Sequence, residues 1–421
     1  MERIAATTWK AMPPSTTPTG ITMKLRQTAI AMLVAACVVS LPADDTTRAA
    51  MPPHAKDNAK GKLETGQTID LGSRTATVRK LDVLPYVENE YSERFVFDSH
   101  DNPKLTELRT TYRLDEVVAP GKDEFEKQLL LMSWVRKQIR GGDPKGLGGM
   151  RNALEILELS KQGQRFFCVQ CAAAYVSAAA SLGWVARPLA LRRPSHLGGS
   201  SPEHSTTEIW SNQHRKWVMF DPTFDLYVES SGGVPLDSWA IRRDFFYNNA
   251  KGLVFVDRRE GTRYRKADAE KPYPAQLLAF IGYVPNTNFL DAGPDWAGMF
   301  ISRTDDDICR GTRWHVRDCP EDPAVDPYFP INQAALSLVP KGRNLGVGIK
   351  TMTPNFEEFQ IRVDGGPWRE SADSFTWTLQ DGENTLEARA INRFGVAGPA
   401  SSVALNVAPK KDRNLVFEQQ T

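Results

Sequence analysis

The sequence predicts an α+β fold in which a cysteine-bearing helix packs on an antiparallel sheet, followed by a C-terminal all-β sandwich. Three observations predict it. The Ala-rich run from Cys168 to Leu182 holds no Gly or Pro until Gly183, as suits a buried helix. Three strand-like runs follow, Arg187 to Leu191, His204 to Trp210 and Lys216 to Phe220, the last closed by Asp221-Pro222. From Asn344 to Val407 apolar residues alternate in short runs, with Asp364-Gly365-Gly366 and Asp381-Gly382 as turns.

A chain of 421 residues suggests two or three domains, and 41% hydrophobic content is enough to bury their cores. Lys plus Arg number 52 against 51 Asp plus Glu, so the net charge of +1 supplies no basic field for nucleic acid. No nucleic-acid partner is expected.

Residues 1–43 read as an N-terminal extension and signal peptide. Lys24 and Arg26 precede an uncharged run of 14 residues, Thr28 to Leu41, with small residues ending at Ala43. The run is shorter than the roughly 20 residues of a bilayer span. Val34-Ala35-Ala36-Cys37 offers a lipid anchor at Cys37 as the alternative to cleavage near Ala43. Removing residues 1–43 leaves 48 basic against 50 acidic side chains, a net −2. An extracytoplasmic protein, periplasmic or secreted, is expected. There Cys309 and Cys319 are the disulfide candidates.

Residues 44–115 form a leader and a small β-rich region, with alternating runs such as Thr75 to Val78 and Phe95 to Phe97. In a core of 116–250, Phe125, Leu129, Met132, Val135 and Ile139 predict a helix begun by a capping-box-like Asp123 and Glu126 and ended by Gly141-Gly142. A second helix spans Asn152 to Lys161, with Gly163 beyond it. From about 226 to 333 no period is clear, so 251–333 is an irregular extension; Trp239, Phe245, Phe246 and Tyr247 should pack on the core. The sandwich takes 334–408 and a polar tail 409–421.

Cys168 stands at its helix start, where free N–H groups and the helix dipole favour a thiolate. A hairpin loop of Ser211 to His214 would set Trp210 opposite Arg215 and His204 directly opposite Asp221, within reach of an imidazole–carboxylate hydrogen bond. The chain thus offers a thiol, a base and an orienting acid.

These residues resemble the core of the transglutaminase-like superfamily. The resemblance runs from about Asp123 to Thr223. It rests on Cys168-Val169-Gln170-Cys171-Ala172, Leu182-Gly183-Trp184-Val185-Ala186-Arg187, His204 with Glu208 and Trp210, and Lys216-Trp217 to Asp221-Pro222-Thr223. It implies a papain-like transglutaminase core with Cys168 as nucleophile, His204 as base and Asp221 as orienting acid. The sequence departs from the pattern at Cys171, where the family often has an aromatic or His, and at Phe166-Phe167, where no Gly precedes the nucleophile. The implied function is that of an exported cysteine-dependent amide hydrolase or acyltransferase, acting on protein, peptide or cell-wall peptide through a thioester and needing no cofactor. Release to water and release to an amine are not separated by the residues. The alternative is an inactive scaffold binding cell-wall or polysaccharide material. The C-terminal runs resemble an immunoglobulin or fibronectin type III module.

Other residues carry plainer readings. Cys168 and Cys171 could pair reversibly, but a single C-x-x-C is too few ligands for zinc. Glu208 is structural, Trp210 and Trp217 are core or cleft wall, and His196 and His214 are solvated. Asp305-Asp306-Asp307 lacks the spaced ligands of a calcium loop.

Overall fold

The computed structural model describes residues 63–144, 152–193, 203–292, 300–301 and 326–410. The signal-like segment, Cys37, His196, Cys309, Cys319 and Asp305 to Asp307 lie outside the described residues.

In chain order the elements begin with β1 (Thr68–Asp70) and β2 (Arg74–Asp82), then α1 (Pro103–Thr111), α2 (Leu114–Val118) and α3 (Glu124–Gln138). Next come β3 (Arg140–Gly141), α4 (Ala153–Lys161), β4 (Arg165–Phe166) and α5 (Cys168–Ser181). A run of strands follows: β5 (Ala186–Arg192), β6 (Glu203–Ser211), β7 (Lys216–Asp221) and β8 (Leu226–Ser230). After α6 (Ser238–Tyr247) come β9 (Leu253–Asp257), β10 (Thr262–Tyr264), β11 (Phe280–Tyr283), α7 (Phe289–Ala292) and β12 (Phe300–Ile301). The last seven strands are β13 (Ala335–Lys341), β14 (Asn344–Lys350), β15 (Phe356–Val363), β16 (Arg369–Ser371), β17 (Ser374–Trp377), β18 (Gly382–Asn392) and β19 (Ser401–Pro409).

Local chemistry sets the helix ends. Asp123 caps α3 by accepting from the Glu126 N–H at 2.9 Å, while Glu126 reaches back one residue further than a capping box requires, to the Lys122 N–H. Asn152 caps α4 through the Glu155 N–H at 3.0 Å. At the end of α5, Gly183 takes φ +79°, a conformation that a side chain disfavours.

The eight strands β10-β9-β8-β7-β6-β5-β11-β12 form one antiparallel sheet. Its strands alternate between two cores. Ile209, Val218 and Phe220 pack with Ala173, Ala174 and Val176 of α5, and Trp210, Trp217 and Met219 face a second cluster with Leu189, Val228 and Phe255. Two expectations are corrected here. The core does not end at 250, because β9 to β12 belong to its sheet. Tyr247, expected on the core, is 61% exposed at the end of α6, although Trp239 is buried.

The division of the N-terminal part changes as well. Strand β2 pairs with β19, so residues 68–82 join the sheet β1-β2-β19-β18-β15-β16 of the C-terminal part. Against it lies the sheet β13-β14-β17, and Leu345, Val347 and Trp377 share one core with Ile361, Leu386 and Leu405. Residues 103–115, expected to belong to the small β-rich region, lie largely in α1 and the start of α2: Asn102 caps α1 through the Lys104 N–H, Pro103 starts it, and Leu105 and Leu108, then Leu114 and Val118, are buried at helical spacing. Val96 makes only an isolated bridge, to Asn286.

The far end of α5 is fastened to the C-terminal part. The Asn392 amide donates to the Gly183 carbonyl at 2.9 Å, and a Cβ at Gly183 would stand 2.5 Å from that of Phe394. Among the described residues no helix is long and apolar enough to cross a membrane.

Candidate active site

Cys168 is the first residue of α5, preceded by Phe167 in extended conformation at φ −80°, ψ 173°. The Gln170 side chain fixes this turn by accepting from the Phe167 N–H at 3.1 Å. Of the Phe166-Phe167 pair, the first ring is buried and the second is 50% exposed beside the cysteine.

The Ser205 N–H, at the start of β6, donates to Cys168 Sγ at 3.3 Å. Next to it, His204 Nε2 lies 2.7 Å from Asp221 Oδ2, with both side chains buried. Asp221 Oδ1 accepts from the Thr223 and Phe224 N–H groups at 3.0 and 3.2 Å. Because Nε2 is occupied by the carboxylate, Nδ1 is the nitrogen left for exchange with sulfur. The Phe224 ring covers the imidazole with centroids 5.4 Å apart.

The register differs from expectation. Ser211 pairs with Lys216 and Trp210 with Trp217, so the loop is Asn212 to Arg215, with Arg215 at φ 55°. Glu124 of α3 holds that loop by accepting from Asn212 N and Nδ2 at 2.6 and 2.8 Å. His204 and Asp221 are therefore diagonal rather than directly opposed. The slip moves each partner by two residues, which keeps both on one face; a slip of one would have separated them.

The electrostatics favour an ion pair. Burial pushes the Cys168 thiol up, but a hydrogen bond and the charge of His204, with the Ser205 N–H, outweigh it and the net shift is downward. For His204 burial works against the charged ring, and Asp221 and Cys168 overcome it, raising the pKa to about 10. Cys171 behaves otherwise: it is buried, and desolvation pushes its thiol up to about 12. Both thiols are free. Among the described residues no cluster of His, Cys, Asp and Glu is arranged to hold a metal ion.

Other expected residues find their places. Glu208 forms a fully buried ion pair with Arg187 at 2.7 Å, and its second oxygen accepts from Ser238 and Tyr328. Trp210 and Trp217 are core. His214, expected in solvent, is half-buried with its ring 4.8 Å from Phe125, and burial lowers its pKa. Sequence reasoning missed Tyr273, whose hydroxyl donates to Asp221 Oδ2 at 2.9 Å. No motif or periodicity marks it.

Residues 112–222 match the family model described as Transglutaminase-like superfamily. The chain carries a transglutaminase-like domain. All three residues of the constellation fall inside this domain, at the junction of α5, β6 and β7. Among solved structures the chain is similar to red sea bream transglutaminase, at 11% identity and a TM-score of 0.28, over 75% of this chain and 60% of that one. The chain thus spans about three fifths of that protein's length. No curated protein sequence matches it.

Proposed function

We propose that the protein is an exported cysteine enzyme that cleaves or transfers an amide acyl group, from a peptide bond or a Gln side chain, through a thioester at Cys168. The observation that carries this reading is the 2.7 Å contact of His204 Nε2 with Asp221, beside a thiol whose sulfur accepts the Ser205 N–H. The match to the transglutaminase-like superfamily supports it.

In this mechanism the Cys168 thiolate attacks the amide carbonyl while His204 is an imidazolium held by Asp221. The oxyanion is met by the Cys168 N–H, which at the first position of a helix has no intrahelical partner. Nδ1 of His204 then protonates the leaving amine, and the C–N bond breaks to give the thioester. Water or a second amine attacks the thioester, with Nδ1 taking its proton, and the thiolate returns. The substrate is a protein, peptide or cell-wall peptide reached outside the cytoplasm, and the C-terminal part, an immunoglobulin-like sandwich, serves as a spacer or docking unit.

The test is a peptide library given to the purified mature chain with and without added amine, with acid-quenched samples weighed for an acyl adduct. Turnover with an adduct on Cys168, absent from Cys168→Ala, is expected. Wild type and Cys168→Ala behaving alike, with no adduct on any peptide, would leave the inactive scaffold as the reading.

A further inference from the structure

We infer that Tyr273 is a positioning residue that anchors Asp221 and limits the share of its charge that reaches His204. The inference rests on the proposed pairing of Cys168 with His204 and adds a member from outside the matched domain.

Tyr273 lies between β10 and β11 and is 4% exposed. Its hydroxyl donates at 2.9 Å to Asp221 Oδ2, the same oxygen that His204 Nε2 meets at 2.7 Å. The ring cannot drift. Phe224 stands edge-on at 5.6 Å, Phe255 packs at 6.0 Å, and the Tyr273 N–H donates to the Tyr264 hydroxyl at 3.2 Å. Phe224 in turn covers His204, so one aromatic pair shields both ends of the His204–Asp221 bond.

Burial first, and then the Asp221 charge, push the Tyr273 pKa well up, so the phenol stays protonated and acts as a donor. A carboxylate oxygen with two donors divides its charge between them, and the imidazolium gets less than it would from an oxygen of its own. The thiolate partner then remains more basic. That matters because thiolate nucleophilicity falls as its pKa falls. Among the described residues, the other ionisable groups acting on this centre are Cys171 on α5, Tyr264 on β10 and, through Cys171, Arg136 on α3. A purely space-filling Tyr273 would be matched by Phe, because its ring contacts are apolar.

The experiment follows iodoacetamide uptake at Cys168 against pH, read by peptide mass on the full chain, for wild type, Tyr273→Phe and a chain with 3-fluorotyrosine at position 273. In Tyr273→Phe the acid limb is expected to move down by about half a pH unit, and the plateau rate to fall about twofold. The fluorinated phenol is a stronger donor of nearly the same shape, so it should move the limb up, and it decides the matter if Tyr273→Phe does not fold. Superimposable profiles, or shifts of the opposite sign, overturn the role of Tyr273 and leave the thiol–imidazole pair standing. A wild-type thiol that titrates like free cysteine overturns both.

Discussion

The imidazole of His204 meets Asp221 at 2.7 Å although the two residues are two positions out of register across β6 and β7. The bond is diagonal, so it depends on the Asp221 carboxylate being aimed by the Thr223 and Phe224 N–H groups rather than on a cross-strand rung.

Asp221→Asn keeps the side-chain shape but removes the charge and favours the wrong imidazole tautomer. Amide turnover should fall by about 10³- to 10⁴-fold. Iodoacetamide uptake by Cys168 should move toward the pH range of a free thiol, and uptake unchanged from wild type would contradict the electrostatic role given to Asp221.

Stability should carry the same signature. The His204 pKa is raised from 6.5 to about 10, so its contribution is complete below pH 6.5 and is lost as pH rises through about 10. The Cys168 pKa is lowered from 9.0, so its contribution is present above pH 9.0 and is lost as pH falls through the folded-state value. Thermal unfolding of wild type and His204→Gln should show a gap that narrows toward about pH 10. A gap that widens there would mean the buried ring is neutral.

The strands and helices that carry the site were legible in the sequence because each is written locally. The Ala-rich run of α5, the Gly163 that closes α4 and the strand-like runs of β6 and β7 need no distant partner. What was hidden is long-range. The loop after β6 is set by Glu124, far back on α3, which shifts the hairpin by two residues. Tyr273 reaches Asp221 from a segment without period, because residues 273–283 pass through a short 3-10 turn into β11, an added strand beside β5. Helices α1 and α2 were missed because short β-like words, such as Phe95-Val96-Phe97, outweighed the Leu105 and Leu108 spacing.

Glu208→Ala should be among the most damaging single changes remote from the thiol. It strands the Arg187 guanidinium, fully buried and 4.1 Å from the Trp217 ring, without its carboxylate. A loss of about 3–5 kcal/mol in denaturant unfolding is expected. The double change Arg187→Met with Glu208→Leu should cost less than the single one, and a greater cost for the double would contradict the stranded-charge account.

Gly183→Ala combines two penalties. The residue sits at φ +79°, and its new Cβ would meet Phe394 at 2.5 Å. A loss of about 1–3 kcal/mol is expected. Gly183→Ala with Phe394→Ala should recover only part of it, because the backbone conformation is untouched; full recovery would show the steric clash to be the whole effect.

The pairing of β2 with β19 has a consequence for biogenesis. The hairpin of β1 and β2, completed at Asp82, must wait for a strand beginning at Ser401 before it joins the rest of its sheet, so the whole intervening core has to leave the ribosome before β2 finds its second neighbour. Until then its open edge is exposed to other chains. A premature stop shortly before residue 401 would thus spare every residue of the proposed active site and still release a product prone to clump.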